Sequence, residues 1–200
     1  MKNLFASTLI VMLWLITSCT NSPADKSQPP ADNPKASTET IENGDEADKQ
    51  FMRQAIALSI QNVANGGGPF GAVIVKDGEI VATGVNRVTD NNDPTAHAEV
   101  SAIRNACQAL QTFDLTGCTL YTSCEPCPMC LGAIYWAHLD KIYYGNTKTD
   151  AKDINFDDSF IYDEISLDPK DRQIKTTQLL HYEAIVAFDI WRSMVDKVDY

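Results

Sequence analysis

Two hundred residues, 44% of them hydrophobic, suffice for one domain with a buried core. The 16 Lys and Arg against 27 Asp and Glu give a formal charge of −11. With no basic run anywhere, the chain is not expected to bind nucleic acid, which takes clustered Lys and Arg against phosphates.

The chain opens on a segment set apart from the fold. Lys2 precedes an apolar stretch from Leu4 to Ile16, and Thr17-Ser18-Cys19 follows. A charged n-region, a short h-region and small residues at a cleavage site make a signal peptide, too short to span a bilayer comfortably. Ile16-Thr17-Ser18-Cys19 resembles a bacterial lipobox, in which Cys19 becomes the acylated first residue. Several acyl chains anchor stably where one would not. The expectation is a membrane-anchored lipoprotein facing the periplasm or the cell surface. The alternatives are an ordinary signal peptide, an uncleaved anchor, or a wrongly assigned start codon, which would leave the protein cytoplasmic. Pro, Ser, Asp, Asn, Lys and Thr then dominate residues 20–44, the composition of a disordered tether. The division is therefore a leader over 1–19, a tether over 20–44 and a folded domain over 45–200.

Within the domain, Asp48 to Ala64 reads as a helix with Phe51, Ala55 and Leu58 on one stripe, broken by Asn65-Gly66-Gly67-Gly68-Pro69. Phe70 to Val75 and Ile80 to Val85 flank Lys76-Asp77-Gly78-Glu79, a hairpin signal with Asp-Gly at the turn. Thr95 to Leu110 reads as a helix with Val100, Ile103, Cys107 and Leu110 facing inward. Cys118 to Thr122 is a strand, Cys127 to His138 a helix, Lys141 to Tyr144 a short strand, and Asn155 to Ile165 partly helical. Ile174 to Leu179 reads as a strand, and Glu183 to Val198 as a helix that packs Phe188, Trp191, Val195 and Val198 inward. Strands alternating with helices after an initial hairpin predict an α/β fold, a mixed sheet with helices on both faces. Ligands in such sheets gather at strand ends. Five cysteines lie in the domain: Cys107, Cys118, Cys124, Cys127 and Cys130. An odd set with three crowded together is a poor disulfide framework, and bare thiols sit badly with export unless metal is loaded first.

The densest chemistry lies in His97-Ala98-Glu99 and, downstream, Pro126-Cys127-Pro128-Met129-Cys130. Zinc prefers tetrahedral nitrogen and sulfur ligands, and a catalytic zinc keeps its fourth position for water. His97, Cys127 and Cys130 supply three ligands and leave Glu99 as a proton carrier. H-x-E followed by P-C-x-x-C is the signature of zinc deaminases. At a helix start Cys127 and Cys130 share one face, Pro128 suits the first turn, and Asp93-Pro94-Thr95 offers cap chemistry just before His97. Two helix N-termini would then face the metal, and their dipoles favour anions. The alternative is a structural zinc site, closed by Cys124 as a fourth thiolate. In the open site zinc lowers the pKa of its water to about 7. Glu99 would take the water proton and return it to a ring nitrogen and to the departing amine. One carboxylate can serve as base and then acid if burial raises its pKa.

From Asp45 to Tyr200 the chain resembles the bacterial guanine deaminases of the cytidine-deaminase-like superfamily. The resemblance is carried by Gly68-Pro69-Phe70-Gly71-Ala72-Val73-Ile74-Val75, Asn92-Asp93-Pro94-Thr95-Ala96-His97-Ala98-Glu99, Tyr121 through Trp136, Phe156-Asp157-Asp158-Ser159-Phe160 and the terminal Tyr200. It implies a three-layer α-β-α cytidine-deaminase-like fold with a central mixed sheet. It also implies one Zn2+ per subunit on His97, Cys127 and Cys130, and hydrolysis of guanine to xanthine and ammonia with Glu99 as proton shuttle. By the same resemblance Asn86 reads the purine edge, with an amide's donor and acceptor. Asp158 is a second acid at the departing amine, and Phe70 stacks on the ring. Ala98, between His97 and Glu99, lies beside the substrate by proximity alone, and its side chain is expected to pack. Tyr200 reaches the pocket of a homodimer whose C-terminal segments are swapped. From the residues alone, Asn86 could equally be a turn residue, Phe70 core, Asp157 and Asp158 a solvated pair, and Tyr200 a frayed end. Two rival activities remain: the same chemistry on cytosine, cytidine or a tRNA adenosine, or a surface lipoprotein that binds zinc or a purine without turnover.

Overall fold

The computed structural model describes residues 45–199. The leader with Cys19, the tether over 20–44 and the terminal Tyr200 lie outside the described residues. Four strands form one mixed sheet in the order β2-β1-β3-β4, with β1 over Gly71–Lys76, β2 over Glu79–Val85, β3 over Cys118–Cys124 and β4 over Lys141–Asn146. β1 runs antiparallel to both β2 and β3, and β4 joins β3 in parallel. The hairpin turns where expected. Asp77 and Gly78 both take positive φ, 51° and 80°, as a two-residue turn matched to the twist of its strands requires.

Side chains alternate across the sheet with the period of two that strand geometry imposes. Ala72 and Ile74 pack on one face with Leu120, Ala98, Ala102 and Ile134, while Val73 and Val75 pack on the other with Ala55 and Tyr121. Helix α1 (Glu46–Ala64) covers the second face. After the short α2 (Val88–Asn91), helices α3 (Ala98–Leu110) and α4 (Pro128–Trp136) cover the first. This is the expected three-layer α-β-α arrangement. Gly84 lets α3 lie unusually close to β2, because a Cβ there would collide with the Ala98 carbonyl oxygen and the Ala102 nitrogen. That close approach fixes the first turn of α3, which carries the motif residues.

Three expectations fail in the second half of the chain. Helix α5 (Lys148–Asp153) was not foreseen, although Thr147 and Asp150 close a capping box at its start. Helix α6 (Ser159–Ser166) falls inside the stretch read as partly helical. The strand over Ile174 to Leu179 does not form, and its ends are 81% and 79% exposed. Its β-branched run has the propensity for a strand, but no edge of the sheet takes it in. The last helix, α7, spans His181–Ser193. Phe188, Trp191, Val195 and Val198, expected inward, are all exposed. Among the described residues none of α7 is buried, so its apolar positions lack a surface to pack on.

Helix α1 is pinned at its start. Asp45 accepts from the Asp48 N–H at 2.9 Å, and Asp48 accepts from the Asp45 N–H at 3.2 Å, a capping box. Asp48 also accepts from Tyr121 Oη at 2.5 Å and Tyr143 Oη at 2.6 Å, whose rings stack at 5.0 Å. Desolvation opposes the charge on Asp48, but these hydroxyls and the Asp45 N–H outweigh it and hold the carboxyl below its ordinary value. A depressed folded-state pKa contributes stability that is complete above the unfolded value of about 4 and is lost as pH falls through the folded one. Denaturation at graded pH should therefore show stability falling below about pH 4. Asp48→Asn should flatten that part of the profile and lower stability at pH 7 by about 1–3 kcal/mol.

Candidate active site

His97 and Cys127 hold matching positions. Each is the N-cap of a helix, α3 and α4, with extended backbone (φ −70°, ψ 161° and φ −65°, ψ 167°) and no side-chain bond to its own first turn. A polar N-cap side chain ordinarily satisfies an N–H of its own helix. These two are turned instead toward each other. Pro128 opens α4, where its missing N–H costs nothing, and Cys130 follows on the same face. Asp93 and Thr95 do not cap α3. Asp93 closes its own turn, accepting from the Thr95 N–H at 2.8 Å and from Thr95 Oγ1 at 2.7 Å.

The donors of His97, Cys127 and Cys130 all lie within 4.8 Å of one another. His97 Nδ1 is 3.6 Å from Cys127 Sγ and 3.5 Å from Cys130 Sγ. A tetrahedral centre with bonds of about 2.0 Å to nitrogen and about 2.3 Å to sulfur sets those atoms about 3.5 Å apart, so both separations from His97 fit a shared Zn2+. The hydrogen bond with Cys130, and then that with His97, pull the Cys127 thiol down to about 4 against the effect of burial. Cys124 stands outside the cluster. Its Sγ donates to the Thr147 carbonyl at 3.7 Å, and burial pushes its thiol up to about 11. The closed, four-ligand alternative therefore lacks its last thiolate. Three protein donors leave the open position of a catalytic centre.

Glu99 sits in the first turn of α3 and is only 5% exposed. Its Oε1 accepts from Thr122 Oγ1 of β3 at 3.0 Å, and its Oε2 lies 3.4 Å from Cys130 Sγ. Burial raises its pKa above the ordinary carboxylate value. Beside it opens a cavity of about 660 Å3 lined by His97, Glu99, Cys127, the loop from Gly66 to Phe70, Asn86, Phe156, Asp157 and Asp158. That volume suits a small organic ligand.

The remaining candidates separate clearly. Asn86 is buried at the end of β2, and its Oδ1 accepts from the Val88 N–H at 3.3 Å. Asp157 and Asp158 are not an equivalent pair. Asp157 closes the turn ahead of α6, accepting from the Ser159 N–H at 3.0 Å and Ser159 Oγ at 2.6 Å, and pairs with Lys152 at 3.0 Å. The bonds to Ser159 and Lys152 drive it down to about 2. Asp158 occupies the N-cap without a side-chain cap bond; burial, and then the Cys127 thiolate, raise its pKa. Phe70 serves both readings, since it packs on the core and also lines the cavity, edge to face with Phe156 at 5.0 Å. The side chain of Ala98 is wholly buried in the core, so any substrate contact falls to its backbone.

Several lining residues escaped the sequence reading of the site. Glu125 stands inside the cysteine motif, so the motif itself was signal enough. It accepts from the Lys148 N–H at 3.0 Å. Lys148, Asn155 and Phe156 come from the stretch after β4, where the unforeseen α5 sets their positions.

Residues 45–146 match the family model for the cytidine and deoxycytidylate deaminase zinc-binding region. Guanine deaminase from Bacillus subtilis (strain 168) is 53% identical over 151 residues, which cover 75% of this chain and 97% of that protein. An X-ray structure of guanine deaminase from Bacillus subtilis aligns with a TM-score of 0.74 at 52% identity, covering 76% of this chain and 98% of that one. The tRNA-specific adenosine deaminase of Bacillus subtilis (strain 168) is 41% identical over 98 residues, 49% of this chain and 61% of that protein.

Metal analysis of purified variants checks the donor set. Cys130→Ser should weaken zinc binding by more than the 10–100-fold that loss of an outer partner costs, roughly speaking. Cys124→Ser should retain one zinc per chain.

Proposed function

Because the chain belongs to the cytidine and deoxycytidylate deaminase family, within its guanine deaminase group, we propose that it hydrolyses guanine to xanthine and ammonia. One observation carries the reading: two carboxyl groups, Glu99 and Asp158, whose pKa values burial raises, line the same cavity as the zinc donors His97 and Cys127, with Cys130 beside them. When bound on His97, Cys127 and Cys130, zinc supplies Lewis-acid activation of water.

The protein's own groups handle the rest. Glu99 accepts a proton as water adds to the carbon bearing the exocyclic amine, and passes it to the adjacent ring nitrogen. Its raised pKa suits both halves of that task. The Thr122 hydroxyl fixes one carboxylate oxygen and leaves the other to move the proton. Asp158 delivers a proton to the departing amine and recovers one from the hydroxyl left on the carbon, so that nitrogen leaves as ammonia and the carbon keeps the oxygen as a carbonyl. Asn86 offers its Nδ2 donor to the purine edge while its Oδ1 is held by Val88. Phe70 stacks on the base, with Phe156 bracing it edge-on.

Charge around the cavity supports a free base over a nucleotide or an RNA. Besides Glu99 it presents Glu125, Asp157 and Asp158, against Lys148, which pairs with Glu125 at 3.9 Å. A phosphate would meet that surface unfavourably. An alignment of 151 residues also runs longer than the family region over 45–146, whereas the tRNA-specific relative matches 98.

The assembly and the address of the protein are part of the same proposal. The C-terminal segment exchanges between two copies, and the exposed Phe188, Ile190, Val195 and Val198 around α7 support it. Tyr200 then completes the neighbouring pocket. Ile16-Thr17-Ser18-Cys19 supports export and acylation at Cys19. Recovery of the mature protein from the cytosol without acyl groups would overturn that location.

Ammonia release from guanine, adenine, cytosine, guanosine and cytidine tests the reaction. Zinc-loaded protein should turn over guanine alone. Glu99→Gln should keep its zinc and lose about 10²–10⁴-fold in kcat. Turnover of another base would keep the chemistry and discard the assignment of Asn86 and Asp158. No turnover of any base would leave a binding protein.

A further inference from the structure

One buried side chain outside the motif joins three walls of the cavity. Asn62, near the end of α1, is 5% exposed. Its Nδ2 donates to the Gly68 carbonyl and to the Asn86 carbonyl, each at 2.8 Å. An amide nitrogen carries two hydrogens, so both are engaged. The two carbonyls are themselves linked through Phe70. The Phe70 N–H donates to the Gly68 carbonyl at 2.8 Å, and the Asn86 N–H donates to the Phe70 carbonyl at 3.1 Å. Gly68, Phe70 and Asn86 all line the cavity, and they form a closed ring of hydrogen bonds with Asn62. The Asn62 backbone carbonyl completes the tie, accepting from the Gly67 N–H at 2.8 Å.

The glycines of the loop fit the same account. A Cβ at position 67 would stand 2.5 Å from Asn62 Nδ2 and 2.8 Å from its Oδ1, so only glycine lets the loop lie on the amide. A Cβ at 68 would stand 2.9 Å from Asn86 Oδ1. The side chain of Asn62 itself is absent from the lining of the cavity, so it acts through its neighbours.

The geometry points to Asn62 as a positioning residue for substrate binding, which sets the Asn86 amide and the Phe70 ring in register by holding the Gly68 and Asn86 backbones, both bonded to Phe70, to one amide. This rests on the proposed function for the identity of the substrate, but the positioning itself does not depend on it. No chemical step passes through this ring. Its loss should therefore weaken binding while sparing the His97, Glu99, Cys127 and Cys130 centre.

Asn62→Leu, similar in size, removes both donors: the Asn86 carbonyl loses the amide bond and the Gly68 carbonyl keeps only the Phe70 N–H. Gly67→Ala is the second variant: it keeps Asn62 but displaces its amide, and it serves if Asn62→Leu does not fold. The full-length, zinc-loaded chain is compared by guanine kinetics, zinc content and hydrogen–deuterium exchange. In either variant KM for guanine should rise about tenfold or more, the scale of a buried hydrogen bond lost. The kcat should stay within about threefold, since transition-state contacts made only by Glu99 and Asp158 persist. Zinc content should be unchanged. Amide exchange should quicken in the segments 66–70 and 86–88 and stay unchanged around Glu99 and Cys130. An unchanged KM, a fall in kcat at constant KM, or exchange quickened throughout the domain would each overturn the assignment. If the parent protein does not act on guanine, the functional reading fails, and the exchange pattern alone still decides the role of Asn62.

Discussion

Two helix N-termini converge in this protein, with His97 capping α3 and Cys127 capping α4 and their side-chain donors 3.6 Å apart. Each helix end carries a partial positive charge and N–H groups without partners. Negative charge placed between such ends offsets their repulsion, and the thiol of Cys127, pulled well below its ordinary value, can supply it; the same side chains would hold zinc between the two helices. Much of the sheet packing serves this meeting: Gly84 admits the first turn of α3 to the surface of β2, and Ile134 of α4 is buried in the same core cluster as Ala98 and Ala102.

The acids around the cavity show how environment divides labour among identical groups. Asp157 and Asp158 are neighbours in sequence, yet one is pulled down to about 2 by the start of α6 and Lys152 while the other is raised by burial and by the Cys127 thiolate. Glu99 is raised as well, by burial in the core-facing turn of α3. A site that must both take and give protons needs carboxyl groups of this second kind. The turn-closing work ahead of α6 falls to the residue that can stay charged.

What the sequence makes legible follows from how local the cause is. Cys127 and Cys130 are legible because their spacing is a property of one helix turn, His97 because Glu99 stands two residues on, and the hairpin because Asp77-Gly78 carries its own turn chemistry. The α1 stripe of Phe51, Ala55 and Leu58 does meet Val73 and Tyr121 on the sheet. Asn62 is illegible, since an asparagine near a helix end has many uses and its partners are backbone atoms 6 and 24 residues away. The final helix misleads for a different reason. Its apolar stripe is real, but nothing else among the described residues covers it, so periodicity alone assigned it a core that those residues do not provide. The run from Ile174 to Leu179 misleads likewise, by propensity without a partner strand.

Helix α1 spans 19 residues, a rod of about 28 Å. Its first turn is clamped to β3 and β4 through Asp48, and its far end feeds the Gly66–Phe70 loop at the mouth of the cavity. Attachment and access are thus separated along a single rigid strut. A solid support or a fluorescent fusion joined ahead of Asp45 would pull on the clamped end and leave the mouth unobstructed, which makes that end the one to choose for building an electrode or a bead-bound reagent from this domain.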